Sequence, residues 1–195
     1  MDTKLVGWAR AVKARNRSRT RSGTTIPPLW LFTDPTRMPD LVPIVARLPQ
    51  GLCGVVFRHD QVAGRAEMIQ AVWRVCRNRR LMMVIAGAGP WPPGTGRHLR
   101  GGFGRSAAQF NTASAHSAAE LVRAARIGAN LAFLSPVFPT TSHPDALTLG
   151  PLRLMAMMRI ARCSVAALGG IDGATARRLP RRIGAIGAIG ALFWP

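Results

Sequence analysis

From Pro28 onward, short apolar runs recur along the chain and each closes in Gly, Pro, Asp, Ser or a polar turn. They are PLWLFTD (28–34), CGVVFRHD (53–60), LMMVIAG (81–87), GRHLRGG (96–102), FNTASAHS (110–117), NLAFLSPVF (130–138), SVAALGGID (164–172) and IGAIGAIGALF (183–193). Several lead into segments with helical spacing of apolar residues: DLVPIVARL, AEMIQAVWRVCRN, AAELVRAARIG, LRLMAMMRIA and ATARRLP. Continuous apolar strands alternating with helices predict a parallel sheet covered on its faces. Eight such units predict an α/β fold of the (β/α)8 TIM-barrel type. The stretches 88–95 and 103–109 leave almost no room for the third and fourth outer helices, and little sequence follows the eighth strand. The expected barrel is therefore pared down, with helices three, four and eight short or missing. An open doubly wound sheet is the architectural alternative. No GxGxxG follows the first strand, which argues against a dinucleotide site.

Residues 1–28 break this rhythm. Leu5, Trp8, Ala9 and Val12 recur at helical spacing and predict a short amphipathic helix over 3–14. KARNRSRTRSG then carries Lys13, Arg15, Arg17, Arg19 and Arg21 with no acid, a run that repels itself. The chain thus divides into a basic, Arg-rich extension (1–28, a short helix followed by disorder) and a barrel (29–195). Residues 16–25 are expected to be mobile and 1–24 dispensable for stability. A sharper expectation seats the helix on the face left bare by the missing eighth helix, where Trp8 would be shielded. The Arg-rich, acid-poor character is similar to that of a transit peptide, a secretory leader is not expected because there is no apolar h-region, and no apolar run reaches spanning length.

Charge adds one constraint. Twenty-seven basic residues face eight acids, a formal charge of +19, and only Lys4 and Lys13 are lysines. Such a field attracts phosphates of every kind. Tyrosine is absent and no aromatic–basic interleaving forms a base-stacking platform. Nucleic acid is therefore not an expected partner beyond non-specific attraction, and neither is a membrane. Cys53, Cys76 and Cys163 are odd in number and far apart, so neither a disulfide framework nor a zinc knuckle is expected. Each reads as a small buried residue.

In such a barrel, active residues sit at the carboxyl ends of the strands. Those ends carry Asp34, Arg58, His59, Asp60, His116, Ser117, Ser135, Thr140, Thr141, Ser142, His143, Asp145, Gly169, Gly170 and Asp172. Four sequence elements there form a recognisable series. SPVFPTTSHP (135–144) is followed by Gly150-Pro151-Leu152. SAHS (114–117) precedes a helix starting near Glu120. VAALGGID (165–172) closes the seventh strand, and RHLRG the fourth.

In this order and spacing, the elements resemble the thiamine phosphate synthase and TenI superfamily over residues 29–193. The resemblance implies the barrel fold and a cytoplasmic enzyme of thiamine biosynthesis. Its synthases join a thiazole phosphate to an aminopyrimidine diphosphate with magnesium; its TenI-type members tautomerise a thiazole phosphate carboxylate. The resemblance also implies a role for each matched residue. His116, in the strand-five motif, matches the acid–base group. Arg58, Ser135, Thr140, Thr141, Ser142, His143, Gly169 and Gly170 match ligand- and phosphate-binding positions.

The departures fall on several strand ends; at strand eight, where the family has a Ser-Ala pair, the equivalent positions fall near Leu192 and Phe193. In VFRHD the synthase Arg is kept as Arg58, while Val56 replaces Gln and Asp60 replaces Lys. His143 also stands where the synthases use Lys. VIAGAG and LRGGFGRS hold no carboxylate where the family supplies its magnesium ligands. Magnesium is therefore expected by resemblance but lacks its ligands, and no metal or other cofactor is assigned. The partner implied is a small phosphorylated heterocycle, a thiazole phosphate. Three readings follow: a TenI-like or divergent synthase enzyme, a non-catalytic barrel that binds a phosphorylated ligand, and a basic nucleic-acid-associated protein. The residues alone set no oligomeric state.

Overall fold

A computed structural model describes residues 1–15, 24–104, 106–142 and 144–193. Eight parallel strands close on one another in sequence order: β1 (Leu29–Phe32), β2 (Cys53–Phe57), β3 (Met82–Ala86), β4 (Gly96–Leu99), β5 (Asn111–Ala115), β6 (Leu131–Leu134), β7 (Ser164–Ala167) and β8 (Ala185–Ala188). Leu29 pairs with both Cys53 and Ile186, so the first strand joins the second and the last. The eight expected strands are all present.

Alternation along the short strands builds two apolar layers. Trp30 and Phe32 point inward with Val56, Val84, Phe110, Leu131 and Phe133. Leu29, Leu31, Val55, Phe57, Ala132 and Leu134 face the outer shell. Trp30 stacks on Phe110 at 5.9 Å, and Phe32 meets Phe133 edge-on at 4.7 Å. Two large rings on one strand need space opposite. A side chain at Gly54 would come within 2.6 Å of the Trp30 ring, and one at Gly187 within 2.8 Å of Phe32. These glycines are glycine because the barrel is narrow and its filling is aromatic.

The outer shell is incomplete, as expected. α2 (Leu41–Ala46), α3 (Arg65–Asn78), α4 (Ala118–Arg126) and α5 (Gly150–Ile160) follow β1, β2, β5 and β6. No helix follows β3; a single 3₁₀ turn follows each of β4, β7 and β8. The turn after β7, Thr175–Arg178, corrects the reading of ATARRLP as a full helix. With Pro180 just beyond it, the segment has no length in which to repay helix nucleation.

The bare face is covered from the other end of the chain. α1 (Thr3–Arg15) buries Leu5, Ala9 and Val12. Leu5 and Ala9 belong to the same apolar cluster as Leu29, Leu31, Ile186 and Ala188. At its start the Asp2 amide donates to Ala191 O (3.0 Å), beyond the carboxyl end of β8. At its end Lys13 Nζ donates to Gly51 O (2.9 Å), just before β2. The helix therefore runs antiparallel to the strands beside β8 and β1, in the seat of the eighth outer helix. Trp8 is half-buried there. This corrects the expectation that 1–24 can be removed at no cost, because two fully buried core residues lie within it. The arginine run over 16–23 lies outside the described residues. No described helix is long and apolar enough to cross a membrane.

Cys53 and Cys76 are buried thiols pushed up to about 12 by desolvation. Cys163 is only partly buried, at the foot of β7, which corrects its reading as a core residue.

Candidate active site at the barrel mouth

The strands' carboxyl ends open into a cavity of about 1420 Å³. Arg58, His116, Ser135, Thr140, Thr141, Ser142, Gly169 and Gly170 all line it. His143 lies outside the described residues. The topology thus brings together residues drawn from four different strand ends.

His116 follows β5, and two short-range devices hold its backbone. Ser117 is the N-cap of α4, its hydroxyl accepting from the Glu120 amide (3.2 Å). The Glu120 carboxylate reaches back to accept from the His116 amide (2.7 Å). The imidazole is oriented from β6: Nδ1 lies 2.9 Å from Ser135 O and 3.3 Å from Ser135 Oγ. A carbonyl oxygen can only accept, so the neutral ring carries its proton on Nδ1. Nε2 keeps its lone pair, facing no described hydrogen-bond partner. The neighbouring serines Ser114 and Ser117 do not orient the ring. Ser117 is occupied as the cap, and Ser114 Oγ accepts from the Gly101 amide (2.9 Å).

The loops after β6 and β7 lie against each other. Val137 N donates to Leu168 O (2.9 Å), and Phe138 N to Gly169 O (3.1 Å). Gly169 and Gly170 have φ of +91° and +63°. A side chain on Gly170 would stand 2.3 Å from Pro139 O. Both glycines are therefore required by backbone geometry and by the close approach of the proline-braced loop. Neither glycine amide donates to a described residue. In the hydroxyl loop, Thr141 Oγ1 accepts from Arg37 Nη2 (3.1 Å), and Thr140 Oγ1 from the Ser142 amide (3.4 Å).

The floor is aromatic and neutral. Phe32 and His98 line it, their rings edge to face at 5.7 Å. His98 bonds Thr112 Oγ1 (2.8 Å). Burial, then the Arg58 charge, pushes its pKa down from 6.5 to about 3. His59 points away from the mouth: Nε2 donates to Met38 O (3.1 Å) and Nδ1 accepts from Thr33 Oγ1 (3.0 Å). Its pKa is lowered, chiefly by burial. Both rings are structural and uncharged at neutrality.

The β1–β4 side is rebuilt in arginine. Among the described residues Arg58 has no carboxylate at ion-pair distance; its guanidinium lies 5.8 Å from the centre of the Phe32 ring. Burial, then Arg100, lowers its pKa, yet a guanidinium remains a cation. Asp60 pairs with Arg65 (3.6 Å) and Arg100, so neither an Arg58–Asp60 pair nor a bare Asp60 carboxylate at the mouth is present. Arg37 and Arg100 also line the cavity on this side, and Arg178, after β7, lines it from the other. Sequence reading missed these three. Arg100 was detectable, since it directly follows β4.

The magnesium that the resemblance implies meets an engaged set of groups among the described residues. The Arg65 guanidinium itself occupies the carbonyls after β3, donating to Ala86 O (2.6 Å), Gly89 O (3.1 Å) and Ala88 O. Three carboxylates line the cavity, and each is committed to backbone amides. Asp34 accepts from Thr36 and Arg37, Asp2 from Lys4, Leu5 and Gly173, and Asp172 from Ala174 and Thr175. The Thr175 amide bond leads in holding the Asp172 pKa below the usual carboxylate range. Among the described residues no three metal-ligating side chains converge.

Residues 108–190 match the family model for thiamine monophosphate synthase. Over that stretch the chain is similar to the thiamine monophosphate synthase/TenI family. The match spans β5 to β8, the half of the mouth that carries His116, Ser135, Gly169 and Gly170. No curated protein matches the sequence. Thiamine phosphate pyrophosphorylase from Pyrococcus furiosus shares the fold with a TM-score of 0.69 at 20% identity, over 84% of this chain and 85% of that one. An M276A mutant of FabK from Thermotoga maritima gives 0.58 at 13% identity, over 86% and 62%. Nitroalkane oxidase from Streptomyces ansochromogenes gives 0.57 at 13%, over 85% and 66%. At these identities the likeness is one of fold.

Proposed function

We propose that this family barrel binds a small phosphorylated heterocycle, a thiazole phosphate, and that its magnesium-diphosphate site is degenerate. One observation carries the reading: the family match falls on the half of the mouth where His116 and the Gly169-Gly170 pair line one cavity. Backbone amides after β7 and β8 are where barrels of this type hold phosphate. The heterocycle would lie over the Phe32–His98 floor.

Acid–base chemistry is within reach of His116. With Nδ1–H donated to Ser135 O, Nε2 can take a proton from one ring-system position of the ligand and return it at another. Such a transfer is a tautomerisation: bonds to hydrogen shift and no atoms are lost. The synthase reaction asks for more, because a departing diphosphate concentrates charge that guanidiniums alone must meet. A divergent synthase and a non-catalytic ligand-binding barrel are the two neighbouring readings. Calorimetric titration with hydroxyethylthiazole phosphate, with and without magnesium, tests the proposal. Binding that is equal in both conditions is the expected result. No binding in either condition would overturn it, and binding only with magnesium would favour the synthase.

A further inference from the structure

The loops after β7 and β8 both line the cavity, yet among the described residues no hydrogen bond joins them directly. Asp2 joins them instead. Its amide donates to Ala191 O (3.0 Å) in the β8 loop. Its Oδ2 accepts from the Gly173 amide (2.6 Å) in the β7 loop. Its Oδ1 accepts from the Lys4 and Leu5 amides (2.9 and 3.1 Å) and caps α1. From Gly173 the ties continue inward. Asp172 takes the Ala174 and Thr175 amides, and Thr175 Oγ1 donates to Gly170 O (2.9 Å). A hydrogen-bonded path thus runs from the β8 loop, through residue 2, to the glycine pair.

The β7 loop is shaped for this contact. A side chain on Gly173 would stand 2.5 Å from Lys4 Cβ and 2.6 Å from Asp2 Oδ1. Its backbone is not in the left-handed region, so the close approach of α1 is what demands glycine there. Asp2 also lines the cavity itself.

We propose that Asp2 is a positioning residue of the ligand site, fixing the β7 loop against the β8 loop at the separation that a bound phosphoryl group requires. This rests on the functional reading above. The chemistry of the carboxylate makes it testable. One carboxylate oxygen takes the Lys4 and Leu5 amides and the other the Gly173 amide, and Asn has only one acceptor oxygen. Asp2→Asn can still cap α1, since Asn is a strong N-cap. Its amide NH₂ then faces the Gly173 N–H, and that tie is lost.

The sign of the effect separates positioning from mere charge. A carboxylate that is only a negative neighbour would repel an anion, so Asp2→Asn would tighten binding. A positioning carboxylate predicts the reverse. The experiment measures calorimetric Kd for hydroxyethylthiazole phosphate on wild type, Asp2→Asn and Gly173→Ala, with the melting temperature of each. Affinity is expected to fall about tenfold in both variants, the scale of one charge-assisted hydrogen bond. The melting temperature of Asp2→Asn should stay near wild type, and the double variant should lose little more than either single. Unchanged or tighter binding by Asp2→Asn overturns the assignment alone. A wild type that binds nothing overturns the functional reading and the assignment together. Should Gly173→Ala fold poorly, Asp2→Asn still decides.

Discussion

The two halves of the barrel mouth are built on different principles. From β5 to β8 the rim is mostly glycine, proline, serine and threonine with one histidine, Arg178 and Asp172 also lining it, and backbone amides and carbonyls do much of the placing. From β1 to β4 it is arginine. Arg37, Arg58 and Arg100 face the cavity, and Arg65 sits on the carbonyls after β3. Among the described residues the first half of the rim lacks outer helices after β3 and β4, and its carboxylates Asp34 and Asp60 are engaged by backbone amides and arginines. Among the described residues the second half has only 3₁₀ turns after β7 and β8, and α1 covers its outer wall. The difference suggests a contrast between main-chain and side-chain sites. A site made from main-chain amides, as proposed for the Gly169-Gly170 corner, needs loop geometry to be preserved. A site made from side chains can be replaced one residue at a time while the sheet persists.

The strongest way to break the comparison is the synthase reaction. If the arginine half cannot stabilise a departing diphosphate, purified protein given both substrates and saturating magnesium should form no measurable thiamine phosphate. Each missing donor at developing charge costs about 3 kcal/mol, roughly 100-fold. Asp60, held by Arg65 and Arg100, adds little repulsion, but that pairing also draws part of Arg100's charge away. Turnover at an ordinary enzymatic rate would show that the rebuilt half retains the older chemistry.

The second test falls on the preserved half. His116→Gln keeps a hydrogen-bonding side chain and removes the imidazole. Thiazole phosphate tautomerisation, followed by absorbance, is expected to fall about 100-fold or more. Equal rates would remove His116 from the chemistry.

Much of this was legible in the sequence, and the reasons differ by element. The strands declared themselves because buried parallel strands are continuous apolar runs, each ended by a turn residue. His116 and the glycine pair were legible because short motifs set them at strand ends. Asp2 was not, since its partner Gly173 lies 171 residues away and no local pattern records that pairing. Arg65 was equally hidden: it opens a helix, and only closure of the sheet brings its guanidinium to the carbonyls after β3. The role of Ser135 in orienting His116 passes through a main-chain carbonyl, which leaves no signature in residue type.

The outer wall gives the next test. Leu5 is fully buried between α1 and the sheet. Leu5→Ala should destabilise the protein by about 2–4 kcal/mol, the usual cost of such a cavity, read from urea unfolding. Deleting 1–24 should cost more. A loss below about 1 kcal/mol for Leu5→Ala would mean that α1 does not contribute as a core helix.

Acid stability tests the neutral floor. His98 has a folded pKa of about 3 against an ordinary 6.5. The unfolded chain therefore binds a proton below pH 6.5 that the folded one refuses until about pH 3, and stability falls as pH drops through that window. Each unit of difference is worth about 1.4 kcal/mol. His59, lowered mainly by burial, acts in the same direction. Replacing His98 by Gln should flatten the decline in melting temperature between pH 6.5 and 4. An unchanged slope would assign the acid sensitivity to other groups.

The smallest expected effect separates two arginines within the rebuilt half. Arg58 is largely withdrawn from solvent and has no carboxylate partner among the described residues. Arg100 is 56% exposed along its side chain and paired with Asp60. A charge that is both paired and exposed is screened by its partner and by salt. An unpaired charge beside a low-dielectric floor acts on an anion at closer to full strength. Arg58→Ala should therefore weaken thiazole phosphate binding by about tenfold, and Arg100→Ala by about threefold or less. Raising salt from 50 to 300 mM should narrow the gap between wild type and Arg100→Ala more than that between wild type and Arg58→Ala, because screening acts first on the exposed group. Equal losses at both positions would show that the Arg100–Asp60 pair opens when ligand arrives, and that the arginine half of the mouth acts as one cationic site.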